Sequence, residues 1–119
     1  MKFIRLDADS IGDKIELALL NGDISLANKI HNSVQKGIRL LSKSIKENPH
    51  FTILMVGCDD ILFCSESDSP ILWELEKLKD LFYEKTKASL SIGVSDNLQG
   101  AIMNLRKAKL LGKNQILVD

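Results

Sequence analysis

The chain has few of the residues that announce a special class of protein. Its 119 residues include two cysteines and two prolines, and only 5% are aromatic. Cys58 and Cys64 lack the spacing of metal ligands, and the composition is not that of a disulfide scaffold. Reduced thiols in a cytoplasmic protein are the expectation. Net charge is missing too, because Lys+Arg 16 balance Asp+Glu 16. With no global field, neither a nucleic-acid polymer nor a membrane is expected as a partner, although a small anion needs only a local cluster. No apolar run approaches the roughly 20 residues of a membrane span. "MKFIRLDADS" returns to charge too soon to hold the apolar region of a signal peptide. Internal repeats, low-complexity segments and linkers are absent, so residues 1–119 read as one domain with enough chain to bury a core.

What is present is alternation of short β-rich runs with helical periodicities. Residues 2–8 read as a strand ending at Asp7. "GDKIELALL" has helical spacing, and Asn21–Asp23 interrupts it. From Ile24 to Glu47, Ala27, Ile30, Val34, Ile38, Leu41 and Ile45 recur every three or four places, which predicts a long amphipathic helix. Pro49 stops it. Runs at 51–56 and 61–65 flank "GCDD" as a hairpin. Ser69 and Pro70 read as the cap and first position of a helix carrying Leu72, Leu75, Leu78 and Phe82. "ASLSIGVS" is a strand. Ser95 or Asp96 caps a last helix carrying Leu98, Ala101, Ile102, Leu105 and Ala108; Gly112 ends it, and "QILV" closes as a strand. The order β-α-α-β-β-α-β-α-β predicts an α+β, ferredoxin-like palm: a mostly antiparallel sheet with helices on one face.

Two acidic pairs stand out. Asp7 and Asp9 lie at the end of the first strand, while Asp59 and Asp60 lie at the hairpin tip. Adjacent like charges give a hydrophobic hairpin nothing. In a palm the first strand lies beside the hairpin, so both pairs meet at one edge of the sheet. Converging carboxylates raise one another's pKa unless a cation neutralises them. Magnesium is the natural cation, bound by one or two carboxylates plus substrate phosphates. Neighbouring strand residues point to opposite faces, so Asp59 and Asp60 are equivalent ligands only if the turn twists. Separately, each pair has a plain reading as a solvated turn. "DADSIG" is not a calcium loop, because Ile11 and Ala18 stand where that loop needs an oxygen ligand and a glutamate.

A phosphate-binding end is also legible. "NLRKAKLLGKN" places Arg106, Lys107, Lys109 and Lys113 in and after the last helical turns. Cations at a helix C-terminus offset the macrodipole, which is the plain reading. Lys109 and Lys113 nonetheless share one side if the helical path persists. "DSIG" from Asp9 offers backbone N–H groups at a helix start, with Gly12 permitting close approach and Ser10 able to cap.

Together, "LDADSIG", "GCDD", "SIGVS" and "AIMNLRKAKLLGKN" resemble the GGDEF-type nucleotide cyclase palm. They are similar to the GGDD polymerase–cyclase domains of type III CRISPR complexes and to the stand-alone minimal CRISPR polymerase (mCpol) family. The last segment follows A-x-x-x-L-x-x-A-K-x-x-G-[RK]-N without a gap. The resemblance implies a nucleotidyltransferase that joins nucleoside triphosphates into a cyclic di- or oligonucleotide, releasing pyrophosphate. It implies two Mg2+ ions (Mn2+ as a substitute) held by Asp7, the Ala8 carbonyl, Asp59 and Asp60. It implies nucleotide contacts from Asp9, Ser10, Ile11, Gly12, Gly57, Cys58, Lys109 and Lys113. Cys58 replaces the second glycine of the hairpin motif, and Ile15 and Glu16 replace the Asn-Asp pair of diguanylate cyclases. Guanine selection therefore does not carry over, and ATP is the expected substrate.

One small palm has room for one triphosphate, so a cyclic product implies a two-fold homodimer with facing sites. The resemblance further implies an antiviral signal read by a separate effector. The alternative is a catalytically silent palm that senses nucleotides. His31, His50 and Trp73 are read as solvated or packing residues without a catalytic part.

Overall fold

The computed structural model describes residues 1–66 and 71–119. Its elements are β1 (Lys2–Ala8), α1 (Ile11–Leu20), α2 (Ile24–Glu47), β2 (Phe51–Val56), β3 (Asp60–Ser65), α3 (Leu72–Thr86), β4 (Leu90–Ser95), α4 (Leu98–Leu110) and β5 (Ile116–Val118). The five strands form one sheet in the order β2-β3-β1-β4-β5, in which only β4 and β5 run parallel. This is the palm arrangement, with β1 at its centre between two antiparallel neighbours.

Local chemistry explains most boundaries. Asp23 accepts a hydrogen bond from the Leu26 N–H at 2.9 Å and so caps α2, as short acidic side chains do. Asn48, the residue before Pro49, is extended and ends that helix. Asn97, not Ser95 or Asp96, caps α4: its side-chain oxygen accepts from the Gly100 N–H at 2.7 Å. Ser95 is still strand and bonds the Asp119 carboxylate, and Asp96 pairs with Lys2 at 2.6 Å. The Ser69 cap and Pro70 lie outside the described residues.

Period-two alternation divides the sheet into two faces. Ile4, Leu6 and Ala8 of β1, Ile61 and Phe63 of β3, and Leu90, Ile92 and Val94 of β4 are all buried. They pack with Val34, Ile38 and Leu41 of α2 and Leu75, Leu78 and Phe82 of α3 into one core. Gly37 lets α2 approach α3 closely, because a Cβ there would lie 2.5 Å from the Thr86 methyl carbon. The other face carries Ser91, Gly93 and Ser95 beneath α4. A Cβ on Gly93 would lie 2.2 Å from the Ala101 carbonyl oxygen of that helix. Placement of every helix on one face is thereby corrected: α4 covers the opposite side, and β4 is buried on both. Four residues depart from the expected packing as well. Trp73 is 69% exposed, with the Lys77 ammonium 4.2 Å above its ring, and Leu72, Leu98 and Ile102 of the expected apolar helix faces are exposed too.

Candidate active site

The site lies where α4 stops covering the sheet. Asp7 points to the α4 face, and the register sets it directly opposite Asp60 of β3 and Ser91 of β4. Like charges in directly opposed positions destabilise a sheet. Here each is paired with a cation. Lys109 Nζ is 3.2 Å from Asp7 Oδ2, and Arg5 donates to Asp60 Oδ2 at 2.5 Å. Arg5 was not marked by sequence reading, although a signal existed: it stands two residues before Asp7 on the same strand face.

Asp59 joins the same place from the turn. Its carbonyl oxygen accepts from the Ala8 N–H at 2.9 Å, which extends the β1–β3 ladder to the hairpin tip. Its residue lines a cavity of about 670 Å³ together with Arg5, Asp7 and Ala8. Burial raises the pKa of Asp7; Lys109 opposes this, and the charges of Asp59 and Asp60 add to it. The carboxylates thus converge, as the two strand ends require.

The rest of the cavity wall is built for anions. Ser10, Ile11, Gly12 and Asp13 of the α1 start line it, as do Arg106, Lys109 and Lys113. Ser10 is left-handed (φ 62°) and makes no side-chain cap, so the first N–H groups of α1 keep their donor capacity. A non-glycine residue in that conformation costs about 1–2 kcal/mol. Lys113 donates to the Ser10 hydroxyl at 2.5 Å. Among the described residues, nothing lies within 4 Å of a Cβ built on Gly12, so that wall is open. Lys113 reaches the site from the turn after α4, where it and Asn114 are both left-handed (φ 66° and 52°), not from a continued helix.

Three of the residues expected here behave differently. Asp9 is 3% exposed and faces inward. It accepts from Ser89 Oγ (2.6 Å), Ser91 Oγ (2.7 Å), Lys109 Nζ (2.7 Å) and the Asn114 N–H (3.0 Å). Burial alone would disfavour its ionised form, but the bonds from Lys109, Ser89 and Ser91 prevail and hold its pKa below the ordinary value. With its lone pairs engaged, Asp9 ties the end of α4 to β4. Ser89, Ser91 and Asn114 were legible in sequence only as strand and turn residues. Gly57 is explained within the chain: a Cβ there would lie 1.9 Å from Asp60 Oδ1. Cys58 is exposed, and its carbonyl oxygen accepts from Gln35 Nε2 at 2.8 Å.

Among the described residues, no group of three or more His, Cys, Asp or Glu side chains encloses a metal by itself. The oxygen donors nonetheless suit a hard cation. Lys109 Nζ already rests on the Ala8 carbonyl oxygen (2.9 Å), the Asp7 carboxylate and the Asp9 carboxylate. Magnesium needs only one or two such carboxylates when phosphates and water complete its shell.

Sheet order, hairpin acids and a wall built to receive anions define the class: a nucleotide-handling palm. The model of the minimal CRISPR polymerase domain (mCpol) matches residues 3–118, and the chain belongs to that family. No curated protein sequence matches it. Among solved structures, a chain of the Csm1–Csm4 cassette in complex with cA4 superposes with TM-score 0.74 at 15% identity, covering 99% of this chain and 20% of that one. A Y-family DNA polymerase chimera gives TM-score 0.66 at 15% identity over 99% and 49% of the two chains. The diguanylate cyclase SiaD of Pseudomonas aeruginosa gives 0.61 at 10% identity over 99% and 49%. This chain therefore spans about one fifth of the first of these and half of the others. At such identities the likeness is one of fold. No described helix is long and apolar enough to cross a membrane.

Proposed function

We propose that the protein is a metal-dependent nucleotidyltransferase that converts nucleoside triphosphates, ATP by preference, into a cyclic di- or oligonucleotide with release of pyrophosphate. The observation that carries this reading is the register of Asp7 against Asp60, with Asp59 beside them, facing a wall of α1 N–H groups and three cations. Asp7 and Asp59 would hold the divalent cations, with Asp60 assisting if it parted from Arg5. Bound there, two Mg2+ ions, or Mn2+ in their place, would supply activation of the 3′-hydroxyl and charge neutralisation at the departing oxygen.

The chain's own groups bind and orient. The α1 start, with Ser10, Ile11 and Gly12, receives the β- and γ-phosphates, and Lys113 and Arg106 add charge there. Lys109 is positioned to follow the phosphate from its carboxylate partners. The 3′-hydroxyl oxygen forms a bond to the α-phosphorus of a second nucleotide, the bond to pyrophosphate breaks, and the hydroxyl proton departs to solvent. Two copies with facing sites bring two such nucleotides together and make the reaction effectively intramolecular. In this reading the product is an antiviral signal recognised by a separate effector.

A catalytically silent sensor is the second reading, and the Arg5–Asp60 pair favours it, because one hairpin acid is already neutralised. Labelled ATP or GTP with magnesium separates the two: a cyclase releases pyrophosphate and a sensor does not. Asp59→Ala should lower that release by about 1,000-fold, given that charge stabilisation of several kcal/mol is lost. Its unfolding free energy should stay within about 0.5 kcal/mol, since the change is in a surface turn. Normal turnover by that variant would sink the assignment.

A further inference from the structure

Charge is strongly segregated along helix α2. Helix α2 carries no Asp or Glu between Ile24 and Lys46, but it carries Lys29, Lys36, Arg39, Lys43 and Lys46. Steps of three and four join Ser25, Lys29, Asn32, Lys36, Arg39 and Lys43 into one strip, because residues so spaced lie along one helix face. Ala27, Val34, Ile38, Leu41 and Ile45 form the opposite, buried strip. The balanced total charge of the chain conceals this segregation.

Two shallow hollows run along the strip where the end of α3 meets it. One, of about 340 Å³, is lined by Lys36, Arg39, Leu40, Lys43 and Lys85. The other, of about 540 Å³, includes Ser25, Lys29, Asn32, Lys36 and Lys85 in its wall. They share Lys36 and Lys85, and among the described residues no acidic side chain lines either. None of Lys29, Lys36, Arg39, Lys43 and Lys85 forms an ion pair among the described residues. Close approach of α3 at Gly37 is what brings Lys85 into the cluster. Four cations held around one hollow without counter-charge repel each other, and a polyanion relieves that repulsion.

The geometry points to a nucleic-acid backbone as the occupant, contacted without regard to sequence. From Lys29 to Lys43 the strip runs about 21 Å, the length of about six base pairs of duplex. Lys and Arg interleaved with Ser and Asn are the side chains that bond phosphate oxygens. An anionic membrane fits less well, since surface helices that dock there present an apolar face beside the basic one. The exposed apolar residues Leu17, Leu20 and Ile24 lie at the α1–α2 turn instead, and among the described residues Leu40 is the sole large apolar one lining the two hollows. No Phe, Tyr or Trp occurs in α2, and His31 is not among the strip positions, so the strip offers no platform for stacking unpaired bases.

Fluorescence anisotropy with a labelled duplex of about 20 base pairs tests this. Five neutralised phosphates predict a log–log salt slope of about −4.5, or a loss of about 500-fold in affinity between about 50 mM and about 200 mM salt. The triple variant K36E/R39E/K43E should lose binding by at least about 100-fold, and Lys36→Ala alone should lower the slope by about one unit. Neither should lower the thermal midpoint, because the positions are exposed and the change relieves repulsion among the cations. Asp59→Ala should bind duplex as the parent does, which separates this surface from the nucleotide cavity. Absence of duplex binding at low salt overturns the inference. So does binding retained by the triple variant, or tighter binding to phosphatidylserine vesicles than to duplex.

Discussion

The two faces of β4 carry different chemistry on one strand. Leu90, Ile92 and Val94 face α2 and α3 in a continuous apolar core, while Ser91, Gly93 and Ser95 face α4. Both sides are buried, but by different means. The first is held by apolar area removed from water. The second is held by a helix pressed onto a glycine and by hydrogen bonds that converge on Asp9. A face built on polar bonds can end abruptly in a cavity, because its last residues are already suited to water, cations and phosphate. An apolar face ending so would expose surface to no purpose. The carboxylates repeat the lesson within three residues: Asp9 is engaged by four donors, and Asp7 beside it is left under-compensated.

The comparison can be broken from either side. The largest stability loss should come from Phe82→Ala on the apolar face, about 4 kcal/mol by urea denaturation, since a fully buried ring leaves a cavity. Nucleotide binding by the remaining folded fraction should be unchanged. Asp9→Asn on the polar face should cost about 3 kcal/mol at neutral pH, because it removes a buried carboxylate and leaves the part-buried Lys109 ammonium short of a partner. Its pH profile has a definite sign. Asp9 titrates below the ordinary value in the folded state, so its contribution is complete above about pH 4 and is lost as pH falls through the lowered pKa. The Asn variant should lack that part of the acid limb; an unchanged limb would show that Asp9 is not the group responsible.

Gly93→Ala should come next, at about 2 kcal/mol, since the added methyl meets backbone that has to move away. That shift carries Lys109 with α4, so triphosphate affinity should fall along with the midpoint. A fall in stability alone would separate helix seating from phosphate binding. Asp7→Asn should have the smallest effect on stability and in the opposite direction. Burial raises the folded-state pKa, so the ionised group lowers stability as pH rises through that value. The Asn variant should be as stable as the parent at acid pH and slightly more stable at neutral pH, measured by thermal melts without divalent ions.

Much of this was readable in advance, for reasons that differ by residue. The α2 face was legible because apolar residues every three or four places have one helical solution. The hairpin was legible because "GCDD" divides two β-rich runs. Convergence of Asp7 with Asp59 and Asp60 was legible once the palm order was, since adjacency of β1 and β3 brings their ends together. Other features depended on contacts over long separations. Asp9 reads as a second acid of the same motif, and nothing local says that Ser89, Ser91 and Asn114 will surround it. Arg5 looks like an alternating strand residue until β3 supplies Asp60. Gly57 suggests room for a ligand, yet its neighbour's carboxylate fills that room.

Periodicity, capping and turn chemistry act within a few residues, so the polypeptide alone fixed its element order, its core strips and the two acidic ends. Which side of the sheet α4 covers, which carboxylate stays open, and how Lys85 joins the α2 cations are settled by packing between distant segments. A hydrogen bond or a close approach across about a hundred positions has no local pattern to announce it, because its free energy exists only when both partners are already in place.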